Sequence, residues 1–232
     1  VGSPSREMSA VEPLFRRLAT LYKRDADTRE AVIRVSRDIT RASKDAITLT
    51  HRLPTSDAAC DPLVDKVQHH MARMCEFSAQ AMELLPREED FWRYWRQISM
   101  GVQEFVEARS FLHFVLHGEL ISREMVQEGF AIPICDADYL LGVGDLSGEL
   151  MRFVITNANR DADIAQRGCD FLRALHTNFS MCPISHPEIS KKLLLIEQCL
   201  EKLEKVCYAS RVRGGEMRAL GFLDFDEENH DP

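Results

Sequence analysis

The sequence predicts an all-α protein: one domain, a bundle of about seven helices, several of them long. Three observations predict it. The chain has only 11 Gly and 9 Pro in 232 residues, which is lean for a protein built on turns. No stretch alternates apolar and polar residues with period two, so strands have no support. Between Pro13 and Pro54 forty residues pass without either breaker, while apolar side chains recur at steps of four and three.

Leu14, Leu18, Leu21, Val32, Val35, Ile39, Ala42, Ala46, Leu49 and Leu53 make that first stripe, and Asp25 and Thr28 interrupt it. It reads as one helix, or two nearly collinear ones, up to about 60 Å long at 1.5 Å per residue. Such a rod cannot be buried alone. Asp61 and Pro62 open a second helix, as N-cap and first-turn proline, that runs to 85 and stops at Pro86. A third spans 88–117 and ends at Gly118; a short one follows Ser122 and ends at Gly129, with Pro133 in the next linker. The fifth runs from 138 to about 159 with Tyr139, Val143, Leu146, Leu150 and Phe153 on its seam, and the sixth covers 164–179. Ser185 and Pro187 open the last, whose seam is Ile189, Leu193, Ile196, Leu200, Leu203 and Cys207 and which Gly214 and Gly215 are expected to close. Residues 1–10 are expected to form a disordered edge, 11–216 the domain, and 217–232 an acidic, disordered tail. No repeat of 20 to 50 residues supports a solenoid.

Composition narrows the function. No apolar run approaches the roughly 20 residues of a membrane span, so no membrane partner is expected, and the polar N-terminus has no secretory pattern. Seven scattered cysteines without a C-x-x-C pair argue against a disulfide framework or a zinc knuckle and favour a reducing compartment. The net charge of −8 rules out a generic electrostatic grip on nucleic acid from the whole surface. A polyanion would need a local basic face, a metal or a second subunit.

The third helix carries two faces worth burying. Phe91, Trp95, Ile98, Val102, Phe105, Leu112 and Leu116 form one, with Arg109 in its register; on the other, Met100, Phe111 and Phe114 interleave with Glu104 and Glu107. A solvated face rarely mixes phenylalanines with its acids, so Glu104 and Glu107 are expected to be partly enclosed. In the fifth helix Asp145, Glu149, Arg152 and Thr156 share a stripe away from the apolar seam. Like charges at i and i+4 need compensation, which Arg152 or a bound cation could supply. Gly142, Gly144 and Gly148, each costing about 1 kcal/mol in a helix, suggest close approach of another backbone or of a ligand. Two readings stand: solvated or salt-bridged acids, or four converging carboxylates that hold Mg²⁺ or Mn²⁺, the ions for which all-oxygen ligation is suited. A di-iron site would need helical Glu-x-x-His pairs, and the chain has only Glu227 and His230, in its tail.

Weaker signals read as packing or surface. His113 and His117 lack the intervening Glu of a metalloprotease helix, and His69 and His70 point about 100° apart. The run Gly142-Val143-Gly144 has no preceding strand to make it a phosphate loop. Arg93 and Arg96, among Trp92, Tyr94 and Trp95, mix cations with aromatic faces as single-strand binders do, against the plainer reading of surface arginines.

Several segments together resemble a known family. They are Val35-Ser36-Arg37-Asp38-Ile39-Thr40 with Ser43-Lys44; Gly101-Val102-Gln103-Glu104-Phe105-Val106-Glu107-Ala108 with Ser110-Phe111 and His113-Phe114; the block from Asp138-Tyr139-Leu140 through Gly142-Val143-Gly144-Asp145 and Gly148-Glu149 to Arg152; and Ser190-Lys191-Lys192-Leu193 with Cys207-Tyr208-Ala209 and Val212-Arg213-Gly214. They resemble the translin family, on its translin-associated factor X (Trax) side, over about 30–216. The resemblance implies a seven-helix fold that assembles with translin into a closed, octamer-like shell, located in the cytoplasm and also the nucleus. It implies an Mg²⁺-dependent endoribonuclease, able to use Mn²⁺, that cleaves single-stranded or passenger-strand RNA and helps activate RNA silencing. Carried over, the catalytic and metal-holding acids fall on Glu104, Glu107, Asp145 and Glu149, the four singled out by the helical reading. Translin has apolar residues where this chain has Glu104 and Glu107. Arg93, Arg96 and Arg152 are the expected RNA contacts. The rival expectation is a non-catalytic helical adaptor that shapes an oligomer and binds single strands or proteins. Two departures stand out, a connection over 120–138 shorter than in the animal members and the lack of their basic N-terminal segment.

Overall fold

A computed structural model describes residues 5–182 and 187–219. It contains seven α-helices and, among the described residues, no strand. The first, α1 (Ser5–Thr50), is a single rod of 46 residues. It starts within the N-terminal stretch expected to be irregular and runs through Pro13 rather than beginning after it. Its stripe is buried only in the second half, at Val32, Ile39, Ala42 and Ala46, while Leu14, Leu18 and Leu21 are exposed. The break at Asp25 is explained by partners: its carboxylate accepts from the Tyr94 hydroxyl and pairs with Arg93 at 2.7 Å.

After one 3-10 turn at Ala58–Cys60 comes α2 (Leu63–Leu84), whose first N–H donates to the Asp61 carboxylate at 2.7 Å, with Pro62 directly before the helix. The next helix, α3 (Glu88–His117), has three acids in its first turn and ends at Gly118 with φ 75, a left-handed stop that glycine adopts at no steric cost. Ser122 caps the short α4 (Arg123–Gln127) by accepting from the Met125 N–H. Then come α5 (Asp136–Asn157), two residues earlier than expected at each end, and α6 (Ala162–Phe179), capped by Asp161. The last helix, α7 (Pro187–Ala219), continues through Gly214 and Gly215 instead of closing there. Glycine weakens a helix by about 1 kcal/mol but stops it only where the chain turns left-handed, and here it does not turn. Ser185 and residues 220–232 of the expected acidic tail lie outside the described residues, while 217–219, placed in that tail by the sequence, are the last residues of α7.

The helices pack in a row of neighbours: α2 and α3 flank α1, α5 lies on α3, and α7 lies between α5 and α6. Phe105, Phe111, Phe153, Ile39 and Met74 are fully buried at the centre. Each such side chain contributes about 1.5–3 kcal/mol by leaving water. The linker between α4 and α5 is ordered by Gln127, whose amide donates to the carbonyls of Phe130 and Ile132 and accepts from the Ile134 N–H. It delivers Phe130 onto Phe105, stacked at 3.9 Å and 8°. No helix among the described residues is long and apolar enough to cross a membrane.

Candidate functional site

The relation of α3 to α5 sets the site. Near its start α5 carries Asp138, 2% exposed, whose carboxylate accepts from Ser99 Oγ at 2.6 Å and Gln103 Nε2 at 2.7 Å, both on α3. One turn on, a Cβ on Gly142 would stand 2.7 Å from the Gln103 carbonyl and 2.6 Å from Val106 Cβ. Only glycine lets the two backbones come this close. The two helices run parallel in this register, which brings Glu104 and Glu107 of α3 towards Asp145 and Glu149 of α5.

The charges of the four acids act on one another. Burial, then the neighbouring Asp145, Glu104 and Glu149, pushes Glu107 up to about 8. Burial also raises Glu104, against the pull of Lys44. Glu149 is lowered instead, first by its hydrogen bond with His51. A buried carboxylate that must stay ionised needs positive charge nearby, and three of the four have it. Lys44 lies 3.7 Å from Glu104, Lys192 of α7 2.5 Å from Asp145, and Glu149 has His51 at 2.5 Å and Arg152 at 3.2 Å. The His51 ring is seated by Phe111 at 4.7 Å and Phe153 at 6.2 Å. Glu107 has no hydrogen bond or ion pair among the described residues.

The other two glycines of α5 differ in what they serve. A Cβ on Gly144 would fall 2.7 Å from Lys192 Cβ, so this glycine admits the lysine stem; Gly148, between the acids, has nothing within 4 Å and opens to solvent. The expected close approach of another backbone is met at Gly142, while at Gly144 it is a side chain that approaches.

All-oxygen donors with a surplus of negative charge and one unpaired carboxylate fit a hard divalent cation in chemistry. Among the described residues no three His, Cys, Asp or Glu side chains are gathered closely enough to ligate one ion as they stand. Lys192 and His51 hold Asp145 and Glu149 instead.

Of the arginines expected to meet RNA, Arg152 lies at the acids. Arg93 is bound to Asp25, and Arg93 and Arg96 stand near the start of α3, Arg96 about 12 Å along the helix from Glu104. Trp92 beside them is 57% exposed. The His113 and His117 rings lie 4.5 Å apart, tilted by 48°, and burial lowers His113. Sequence reasoning missed Lys44, His51 and Lys192 as site residues. Lys44 and Lys192 come from helices other than their acids' and His51 from the turn after α1, so no spacing marks them, although Lys44 and Lys192 stand inside segments that carry the family resemblance.

Comparison with known proteins agrees with this fold and places the chain in a family. The pattern of the translin family matches residues 27–214. The chain is 35% identical over 228 residues to translin-associated protein X of Rattus norvegicus, covering 84% of this chain and 78% of the relative. It is 32% identical to the Schizosaccharomyces pombe homolog of that protein, covering 90% and 92%. Translin of Gallus gallus is similar at 23% identity, over 91% and 97%. Among solved structures, the fold is shared with the crystal structure of apo-NeC3PO (TM-score 0.71, 16% identity, 85% and 97% covered) and with that of AfC3PO (0.64, 20%, 88% and 98%).

Proposed function

Because the chain belongs to the translin family, with relatives named translin-associated protein X, we propose that it is the acid-bearing subunit of a hetero-oligomer with translin and acts there as an Mg²⁺-dependent endoribonuclease on single-stranded or passenger-strand RNA, in RNA silencing or processing. Cytoplasm, with a nuclear share, is the setting that fits. The observation that carries the reading is Glu107: enclosed beside three other carboxylates, it has no partner among the described residues and its pKa is pushed up to about 8.

Glu104, Glu107, Asp145 and Glu149 would hold the ion, Mg²⁺ or in its place Mn²⁺. When bound, it supplies activation of water and charge neutralisation at the leaving oxygen of a phosphodiester. The chain's own residues do the rest. Lys192 holds Asp145 and His51 holds Glu149, fixing the orientation of both carboxyl groups. Until a cation replaces it, the Glu107 carboxyl keeps a proton below about pH 8. Arg152, 67% exposed at the rim, is placed to receive a phosphate oxygen. With a net charge of −8 the chain relies on the basic surface of its partner to hold RNA.

Replacing Glu104 and Glu107 together by Ala in the assembled complex is expected to abolish cleavage and leave assembly intact; cleavage unchanged in Mg²⁺ overturns the assignment. One observation favours the second reading, a non-catalytic adaptor: three of the acids are already partnered by Lys44, Lys192 and His51. Calorimetric titration of the complex with Mn²⁺ separates the two, since an adaptor gives no heat that depends on those acids.

A further inference from the structure

The first half of α1 stands clear of the body. Every residue from 11 to 24 is exposed, a length of about 20 Å. Val11, Leu14, Phe15, Leu18, Leu21 and Tyr22, 38–72% exposed, fall within roughly 120° of the helix surface at 100° per residue. An isolated helix of this length is marginal in water, and a contiguous apolar ridge with a polar rim marks a contact surface. The rim is basic. Residues 11–24 hold Arg16, Arg17, Lys23 and Arg24 against Glu12 alone, and Arg17, Lys23 and Arg24 have no hydrogen bond or ion pair among the described residues. Where the arm meets the body, Leu18, Leu21 and Tyr22 line a cavity of about 700 Å³ together with Leu84, Arg87 and Tyr94.

A second arm is a poor cover, since two such surfaces carry the same charge. An acidic, apolar segment answers both properties, and this chain owns one. Residues 220–232 contain Leu220, Phe222, Leu223 and Phe225 with Asp224, Asp226, Glu227, Glu228 and Asp231, and no Lys or Arg. Both the arm and this segment fall outside the 27–214 family match.

We propose that the free arm of α1 is the docking surface for the acidic C-terminal segment, residues 220–232, of a second copy of this chain. The contact runs between copies because of reach. Arg167 of α6 bonds the Thr55 carbonyl just past α1, and Gln166 beside it receives Cys207 of α7 at 3.3 Å, so α7 passes the end of α1 at Cys207 and runs on to Ala219. From the end of α1, Arg24 lies about 39 Å back along that helix. Phe225, six residues beyond Ala219, reaches at most about 20 Å. Phe222, Leu223 and Phe225 cover the ridge, and the acids face Arg17, Lys23 and Arg24. Arm and segment are different surfaces, so the contact is head-to-tail and joins copies into a ring or a row.

The test uses the full chain in sedimentation velocity over a range of concentrations. Leu18→Asp with Leu21→Asp breaks the arm, and Phe222→Ser with Phe225→Ser breaks the segment; neither pair belongs to the acid site. Each double variant is expected to weaken association tenfold or more, as is 0.5 M salt. An equimolar mixture of the two is expected to recover association that stops at a dimer, because one intact arm then meets one intact segment. Association lost with the arm variant but kept with the segment variant overturns the proposal, as does association unchanged by both. Loss of single-stranded RNA binding alone in the arm variant also overturns it and assigns the arm to nucleic acid. Should the arm variant fail to fold, Tyr22→Cys with Phe225→Cys decides: oxidation is expected to link copies beyond the background of either single variant, and no added linkage overturns the proposal.

Discussion

His51 and Glu149, ninety-eight positions apart in the chain, meet at 2.5 Å between the end of α1 and the middle of α5. The contact closes the acid site from the α1 side and holds Glu149 below the usual carboxylate range. A carboxylate with a depressed folded pKa adds stability that is present above its unfolded value, near 4.5, and is lost as pH falls through the folded one. His51→Ala is therefore expected to cost about 1–3 kcal/mol at pH 7 and much less at pH 3. Urea unfolding at the two pH values measures it.

Glu107 works in the opposite sense. Its pKa is raised from 4.5 to about 8, so the folded state binds the proton more tightly than the unfolded one. Its contribution is complete below pH 4.5 and is lost as pH rises through about 8. Glu107→Gln is expected to remove that decline, leaving the variant more heat-stable than the parent at pH 9, by a smaller margin at pH 6, and little changed at pH 4. On the proposed function, Mn²⁺ raises the parent's melting temperature more at pH 8 than at pH 6, and does so far less for the variant.

The glycines of α5 separate by their surroundings. Gly142→Ala drives a methyl to 2.7 Å from a backbone carbonyl of α3 and is expected to cost about 1–3 kcal/mol. Gly148→Ala meets nothing within 4 Å and is expected to gain up to about 1 kcal/mol from helix propensity. Thermal unfolding of the two variants should move in opposite directions.

Phe105 lies fully buried behind the acids, stacked on Phe130. Phe105→Ala is expected to lose about 3–5 kcal/mol, read as a lower urea midpoint. Because Phe130 comes from the linker after α4, the same variant should increase proteolysis of that linker.

Much of the fold was legible because its signals are local. Ser122 as a cap, Gly118 and Gly129 as left-handed stops, and the four-three stripes depend on residues a few positions apart. The enclosure of Glu104 and Glu107 was legible for the same reason, since Phe111 and Phe114 share their face. The run of α7 through Gly214 and Gly215 was misread because the cost of a glycine is small beside what a long helix gains elsewhere.

By itself the sequence determined the helices, their order and the four acids that share two faces, since periodicity and caps act within one or two turns. Only the tertiary structure decided which side chains those acids meet. Lys44 arrives from α1, His51 from the turn just after it and Lys192 from α7, where Gly144 admits its stem, and pairing across elements leaves no spacing in the chain. It also decided that α1 buries half of a continuous stripe, because burial needs a neighbour, and α2 and α3 cover only the half from Val32 on.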